Sequence, residues 1–495
     1  MNAVSRAASH ARQSPAWLIL LIVCLGQFMV VLDATIVNVA LPTIQHELHF
    51  TASSLQWVLN AYTLMFGGFL LLGGRAADLF GRRNLFVAGI TLFTVASLLD
   101  GLATSPGMLI GARALQGLGA ALVSPAALSI VTDTFAEGKE RTRALGIWAA
   151  IAVGGGALGL LLGGLLTQYV AWEWIFFVNL PVGIGAVVLA LRYLPESRVE
   201  GRTGFDLGGA ATITGGLMLL VYGIVKAAEV GWTAGQTLGL MAGAVALIVA
   251  FVVIESKTAH PLVRLGIFRT RSLTAANASM LVVAGGMFAV FFLATLYLQN
   301  ILQLSPVETG LGFLPLTAGV ILSSVMSEKL IPLAGVRAVT MSGTVIAAIG
   351  LWLLSLAPAA GAYLPDVLPG LIVMGIGLGF VFVPMTLIAT TNVALSDGGL
   401  ASGLFNTSQQ VGGALGIAIL SSIAASRTSS SLSRFAAPTP AQRAEAAVDG
   451  FQAAFLTGAG LMLLGTIFVA LLVRRSDVAS IADGVVEEAA VPAVA

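Results

Sequence analysis

Hydropathy divides this chain into fourteen apolar runs, each near the ~20 residues an α-helix needs to cross a bilayer. They fall at roughly 17–40, 54–72, 84–103, 107–131, 143–169, 175–193, 206–225, 237–254, 273–297, 308–330, 337–357, 366–391, 401–424 and 451–473. Runs of this length leave little freedom. In hydrocarbon every backbone N–H and C=O must be satisfied within the protein, and a segment twice the length of a membrane strand satisfies its own groups as a helix. Composition agrees: 57% of the 495 residues are hydrophobic and 9% charged, with mean hydropathy +0.97. Soluble domains carry about 25% charged residues. The expected fold class is therefore an all-α polytopic membrane protein.

An even number of spans puts both termini on one side, and the basic residues choose the side. Nineteen Lys and Arg fall on the terminal side, from Arg6 and Arg12 through Arg75, Arg82 and Arg83 to Arg474 and Arg475. Four fall on the other side, Lys226, Arg427, Arg434 and Arg443, and Arg113 lies inside a span. The positive-inside rule then makes both termini cytoplasmic, in the cytoplasmic membrane. The first run is long enough to span, so it reads as a helix rather than a removable signal. The stretch Thr428–Asp449 reads as a polar external loop, and the acidic tail after Arg475 as disordered.

Several function classes lose their chemistry at this stage. Cys24 is the single cysteine, which excludes an internal disulfide and a cysteine metal site. His10, His46, His49 and His260 fall in expected tails or loops, so no histidine relay crosses the membrane. No Gly-x-x-x-x-Gly-Lys-Ser/Thr run is present, which disfavours ATP-driven work. A net charge of +1 gives no footprint for nucleic acid. No cofactor and no metal are expected; the expected partners are a small-molecule substrate, protons and the lipid bilayer, with the protein acting as a monomer.

An internal repeat sets the domain organisation. A constant shift of 257 lays Ala144 on Ala401, Gly146 on Gly403, and Gly155-Gly156-Ala157-Leu158-Gly159 on Gly412-Gly413-Ala414-Leu415-Gly416. Span 5 thus corresponds to span 13. Two six-helix halves give that spacing only if two helices, spans 7 and 8, stand between them. The expected division is a tail at 1–16, a first half at 17–200, the inserted pair at 201–260, a second half at 261–475 and a tail at 476–495. Repeats that rock about a central cavity are the architecture of alternating access.

Asp33 and Arg113 stand out because each is a charge within an apolar run, where charge is costly and marks function. Span 1 runs outward and Asp33 lies about seven residues from its end, roughly 10 Å at 1.5 Å per residue. Arg113 lies about six residues into span 4, roughly 9 Å deep. Opposite charges at one depth offset much of the cost of either alone, and protonation of Asp33 would loosen the pair. Two other readings stay open: Arg113 snorkels to the interface, or Asp33 makes only a helix-packing hydrogen bond. Laying Gly117-Leu118-Gly119 on Gly377-Leu378-Gly379 puts Val373 opposite Arg113, so the second half carries no matching charge.

Four segments carry a family resemblance. Gly74-Arg75-Ala76-Ala77-Asp78-Leu79-Phe80-Gly81-Arg82-Arg83, between spans 2 and 3, resembles the loop signature of the major facilitator superfamily. Leu32-Asp33-Ala34-Thr35-Ile36-Val37-Asn38-Val39-Ala40-Leu41-Pro42 resembles the first-helix signature of its fourteen-helix drug:proton antiporter branch. Arg113 with Gln116, Gly117, Gly119 and Ala120 is similar to the fourth-helix motif. The glycine-rich fifth span, with Gly155, Gly159, Gly163 and Gly164, resembles the antiporter motif, but Leu160 stands where that motif has proline. Glu173, before Trp174, stands where a basic residue is usual.

The resemblance implies a major facilitator fold and proton-driven efflux of lipophilic drugs or toxic small molecules by alternating access, not an enzyme. It implies proton coupling at Asp33 and Arg113. It implies a cytoplasmic gate of Gly74, Asp78, Gly81, Arg82 and Arg83 with Asp133, whose charges pair across the two halves. Gln27, Asn38, Asn406, Gln409 and Phe292 are candidate substrate-lining groups, beside Ser408, Gln410, Phe288, Phe291 and Tyr297; interhelical packing is the alternative for each. The missing proline leaves a second function open: a dedicated exporter or proton symporter of one metabolite on the same fold.

Overall fold

A computed structural model describes residues 15–135, 139–196, 206–258, 261–393 and 398–474. Fourteen long helices fill it. The first six are α1 (Ala16–Glu47), α2 (Trp57–Phe80), α3 (Arg82–Gly101), α4 (Pro106–Thr134), α5 (Lys139–Tyr169) and α6 (Trp174–Tyr193). Two more follow, α7 (Leu207–Val230) and α8 (Gly235–Lys257). The last six are α9 (Arg271–Asn300), α10 (Pro306–Ala334), α11 (Val336–Leu354), α12 (Leu368–Thr390), α13 (Gly398–Leu432) and α14 (Pro440–Leu472). Thirteen are both long and apolar enough to span a membrane, and α5, at 31 residues, supplies the fourteenth crossing. The described residues hold no strand.

The helices outrun the apolar runs at their ends. Most of Thr428–Asp449, expected as a loop, is helical: α13 continues to Leu432 and α14 starts at Pro440. The local sequence explains it. Thr439 and Gln442 form a capping box and Pro440 takes the first helical position, so the start signal lies eleven residues before the apolar run. The acidic tail, His10 and His260 lie outside the described residues.

The repeat appears as matched helix packing. A Cβ on Gly159 of α5 would meet the Leu32 carbonyl of α1 at 2.8 Å, and one on Gly416 of α13 would meet the Gly285 Cα of α9 at 2.1 Å. Gly155 lies against Phe28 as Gly412 lies against Leu281. Both pairs give an offset of 253 between α1 and α9 (Leu32 to Gly285, Phe28 to Leu281). In the same way Gly117 abuts the Tyr62 carbonyl and Gly375 abuts the Leu316 carbonyl, while Gly119 abuts Phe93 and Gly377 abuts Ala347. The true offset between α4 and α12 is therefore 258 (Gly117 to Gly375, Gly119 to Gly377). Leu371, not Val373, stands opposite Arg113. The sequence alignment slipped by two because glycine recurs at every second position from Gly375 to Gly379.

The inserted helices are not equal. α7 lies along α2 and α13, where Leu64, Leu217, Val221, Val411 and Ala414 form one buried cluster. α8 packs on α7 and turns Leu238, Val245 and Val249 outward, each more than half exposed. Those side chains suit lipid.

The two halves meet mainly at the end away from the termini. There Gln299 Nε2 donates to the Val39 carbonyl at 2.8 Å, Val307 N–H donates to Gln168 Oε1 at 3.1 Å, and Ser421 Oγ donates to Gln56 Oε1 at 2.7 Å. Gly164 packs on Pro306 and Gly310 on Leu160 at the same end. The α2–α13 seam continues inward through Thr407 Oγ, which donates to the Gly67 carbonyl at 3.2 Å, and ends near Leu71 and Gly403. Among the described residues, the contacts between the halves gather at the far end.

Candidate functional site

Asp33 of α1 and Arg113 of α4 meet at 2.5 Å, and neither has any exposed surface. This settles the snorkelling alternative: the guanidinium does not reach an interface. Glycine makes the meeting possible. Gly117, one turn beyond Arg113, brings α4 against the backbone of α2, and Gly159 brings α5 against the backbone of α1 beside Asp33.

The pair is embedded in hydrogen bonds from four helices. Arg113 Nε donates to the Val58 carbonyl of α2 at 3.0 Å, and Nη1 donates to both Asp33 and Gln116 Oε1. Gln116 Nε2 donates to Asp33 Oδ1 at 2.8 Å, and Asn179 Nδ2 of α6 donates to the same oxygen at 3.1 Å. Asn179 Nδ2 also reaches Ser97 Oγ of α3 at 3.0 Å, and Ser97 donates to the Phe176 carbonyl at 2.9 Å. The Tyr62 ring lies 4.4 Å from the guanidinium carbon, with Phe176 on another side. A cation on an aromatic face gains further stabilisation away from water. Asp33 thus accepts three hydrogen bonds, one from the guanidinium and two from neutral amides.

The second half has the same helix frame with none of this chemistry. The packing offsets place Gly286 where the first half has Asp33, Leu371 where it has Arg113, and Met374 where it has Gln116. Leu371 and Met374 are fully buried. A fold that is stable with apolar residues here does not need the charges for packing.

Sequence reasoning missed part of the cluster. Asn179, Ser97 and Tyr62 are neutral residues in apolar runs, and nothing in spacing separates them from ordinary packing groups. Asp100, at the last turn of α3, is a second fully buried carboxylate. The signal was present, an acid in Leu98-Leu99-Asp100-Gly101, but an acid at a span's end reads as solvated.

The gate residues are arranged within one half. α2 ends at Gly81, whose φ of 96° is a left-handed conformation that favours glycine, and α3 begins at once with Arg82. Arg82 pairs with Asp133 at the end of α4, and Arg83 lies 3.5 Å from Glu196 just beyond α6. Both of these pairs lie within the first half. Gly74 packs on Pro125 of α4. The Asp78 side chain lies outside the described residues.

Candidate lining groups divide. Asn406 and Gln409 border a cavity of about 130 Å³ between α12 and α13, with Phe382, Thr386 and Phe405. It lies toward the terminal end. Phe292 is 1% exposed within the apolar core and is not among the residues around that cavity. Asn38 is buried and donates to the Ala34 and Thr35 carbonyls of its own helix. Gln27 is half-buried. Ser408 donates to Asn277 Oδ1 at 2.7 Å and Tyr297 to the Pro358 carbonyl at 2.7 Å. Among the described residues no three His, Cys, Asp or Glu are grouped to hold a metal ion.

Two repeated six-helix halves around a seam closed at one end, with an ion pair buried in one half, define a polytopic membrane protein with the frame of an alternating-access carrier. The chain matches the Major Facilitator Superfamily over residues 23–417, and it belongs to that family. It is 40% identical over 477 residues to the puromycin resistance protein pur8 of Streptomyces alboniger, covering 95% of this chain and 94% of the relative. It is 40% identical over 438 residues to the cephamycin export protein CmcT of Amycolatopsis lactamdurans, covering 87% and 90%. It is 37% identical over 422 residues to the multidrug resistance protein Stp of Mycobacterium tuberculosis, covering 85% and 78%. Solved structures share the fold: a bacterial homologue of the human lysosomal transporter Spinster, inward-facing, matches with TM-score 0.64 at 18% identity over 92% of this chain and 96% of that one. A POT family peptide transporter matches with TM-score 0.66 at 16% identity over 93% and 96%.

Proposed function

We propose that this chain exports lipophilic small molecules, antibiotics among them, from the cytoplasm in exchange for protons. Its relatives are named as antibiotic and multidrug resistance and export proteins, which supports efflux. The observation that carries proton coupling is the Asp33–Arg113 pair, fully buried in one half and replaced by Gly286 and Leu371 in the other. Nineteen basic residues against four support cytoplasmic termini in the cytoplasmic membrane. The conformation is then inward-facing, and the cavity beside Asn406 and Gln409 is where a cytoplasmic substrate enters.

In this reading substrate and proton compete through one conformational switch. With Asp33 ionised, Arg113 is neutralised and the far end stays shut. Protonation of Asp33 removes the partner of a buried guanidinium, and Arg113 must find another acceptor. That rearrangement moves α4 against α1 and α2, the helices whose close approach Gly117 and Gly159 permit. Arg82 with Asp133 and Arg83 with Glu196 hold the cytoplasmic ends of the first half as one body during the swing. The protein acts as a monomer.

A second reading, export of a single metabolite, is favoured by relatives named for one antibiotic each. One experiment separates the two and tests the whole proposal. Inverted vesicles carrying the protein receive a panel of apolar compounds under an imposed proton gradient, with lumenal pH recorded. Uptake of several unrelated compounds with proton release from the lumen supports the first reading; uptake of one supports the second; uptake with no proton movement ends the coupling claim.

A further inference from the structure

Asp100 is the buried charge that the Asp33–Arg113 pair does not use. It has no exposed surface, and neither carboxylate oxygen has a hydrogen-bond partner. It sits one turn beyond Ser97, which is linked through Asn179 to Asp33. The charged groups that bear on it are Arg113 of α4 and Asp33 of α1; the titratable Tyr62 of α2 bears on that pair. Arg113 in turn has one unused edge, since Nη2 is buried and unpartnered while Nε and Nη1 are occupied. A buried guanidinium with an unpartnered donor and a buried carboxyl with two unpartnered acceptors stand on the packed helices α4 and α3.

Charge decides the resting state. Two ionised carboxylates and one guanidinium would leave the cluster net negative, away from water, with Asp100 receiving no donor. An isolated buried carboxylate is far too costly to persist; such a group keeps its proton. Packing does not explain the acid either. The offset between α3 and α11 is 254 (Gly89 to Gly343, Phe93 to Ala347), which puts the buried Leu354 where the first half has Asp100.

We propose that Asp100 is the second proton-carrying carboxyl of the site, and that Arg113 alternates between Asp33 and Asp100 as its counter-ion. In the inward-facing state Asp33 is ionised and paired, and Asp100 holds a proton. When a proton from the outer side binds Asp33, its ion pair with Nη1 breaks. Arg113 turns its Nη2 edge to Asp100, whose O–H proton is released to the side then open to water as the new pair forms. One proton is taken up and one given up, and the cluster carries no net charge before and after the exchange.

This rests on the proton-coupled reading, so the test uses two variants and two readouts on the full-length protein in lipid nanodiscs and vesicles. Infrared spectra at neutral pH should show the carbonyl stretch of a protonated carboxylic acid that disappears in Asp100→Asn and persists in Asp33→Asn. Asp100→Asn and Asp100→Leu should both fold, the latter copying Leu354, and should keep substrate exchange within about twofold of the parent while losing at least tenfold in gradient-driven uptake into inverted vesicles. A band unchanged by Asp100→Asn, or full gradient-driven transport in either variant, overturns the assignment. If Asp33→Asn also retains full gradient-driven transport, the coupled reading itself falls. If Asp33→Asn abolishes it and Asp100→Asn does not, only the role of Asp100 falls.

Discussion

Gly416 and Gly285 touch backbone to backbone where α13 crosses α9, and Gly159 repeats that contact against Leu32 in the other half. The second contact has a functional neighbour, because Leu32 precedes Asp33. A Cβ at Gly416 would sit 2.1 Å from the Gly285 Cα, so Gly416→Ala must force two helices apart. Overpacking of this kind costs about 1–3 kcal/mol. The melting temperature of Gly416→Ala in detergent should fall, whereas Gly460→Ala, with nothing within 4 Å of the new Cβ, should leave it unchanged or slightly raised. Equal melting of the two variants would refute the close-packing account.

The ion pair yields the most direct prediction. Asp33→Asn keeps an amide where Gln116 and Asn179 meet the carboxylate, so the protein should insert and fold, yet the side chain no longer titrates. Gradient-driven efflux should drop at least tenfold. Both variants leave Arg113 charged and buried without its counter-ion, a loss of roughly 3–5 kcal/mol, and Asp33→Ala loses the Gln116 and Asn179 bonds as well. Thermal unfolding should therefore separate the two variants while transport does not. Full efflux by Asp33→Asn would remove Asp33 from the proton path.

How much of this was legible in the sequence follows from what each signal measures. Hydropathy reports length in apolar surroundings, and it located the fourteen long helices though not their ends. Charge in an apolar run reports cost, and it singled out Asp33 and Arg113; depth then matched them, although only the structure shows the contact. Periodicity says little about which way a helix faces in a bundle buried on several sides, so Phe292 was assigned to a cavity and lies in the core. Repeated glycines report close packing but not register, which is why Val373 stood in for Leu371. Asp100 stands in an apolar run as Asp33 does, but its place at a span's end hides its burial, which only the structure shows; Phe177 of α6 lies over the neighbouring Gly101.

Arg113→Lys tests geometry at constant charge. A lysine ammonium reaches Asp33 as a point charge but cannot also hold the Val58 carbonyl through a second nitrogen. The pH dependence of efflux should shift, with maximal rate reduced about tenfold and expression retained. An unchanged pH profile would show that Arg113 only fills space beside Asp33.

At the cytoplasmic end, Arg83 and Glu196 tie the start of α3 to the end of α6 within one half. Both are partly exposed, so their pair contributes only about 0–1 kcal/mol to stability. Arg83→Ala should leave melting nearly unchanged. If these residues and Asp78 control how the first half moves, Arg83→Ala and Asp78→Asn should each slow turnover several-fold with substrate affinity kept within about twofold. Loss of affinity at normal turnover would speak for a binding role and against gating.

Asn406 and Gln409 share the cavity between α12 and α13, and Phe292 does not reach it. Their truncations should therefore fail in different ways. Gln409→Ala removes an amide from the cavity wall, which changes what polar atoms a substrate meets; relative transport rates across a compound panel should reorder, with melting nearly unchanged. Phe292→Ala empties a packed core position, a loss of about 3–5 kcal/mol. It should lower melting and scale transport of all compounds by one factor. A reordered panel for Phe292→Ala, or a uniform loss for Gln409→Ala, would move the substrate path from the α12–α13 cavity toward α9.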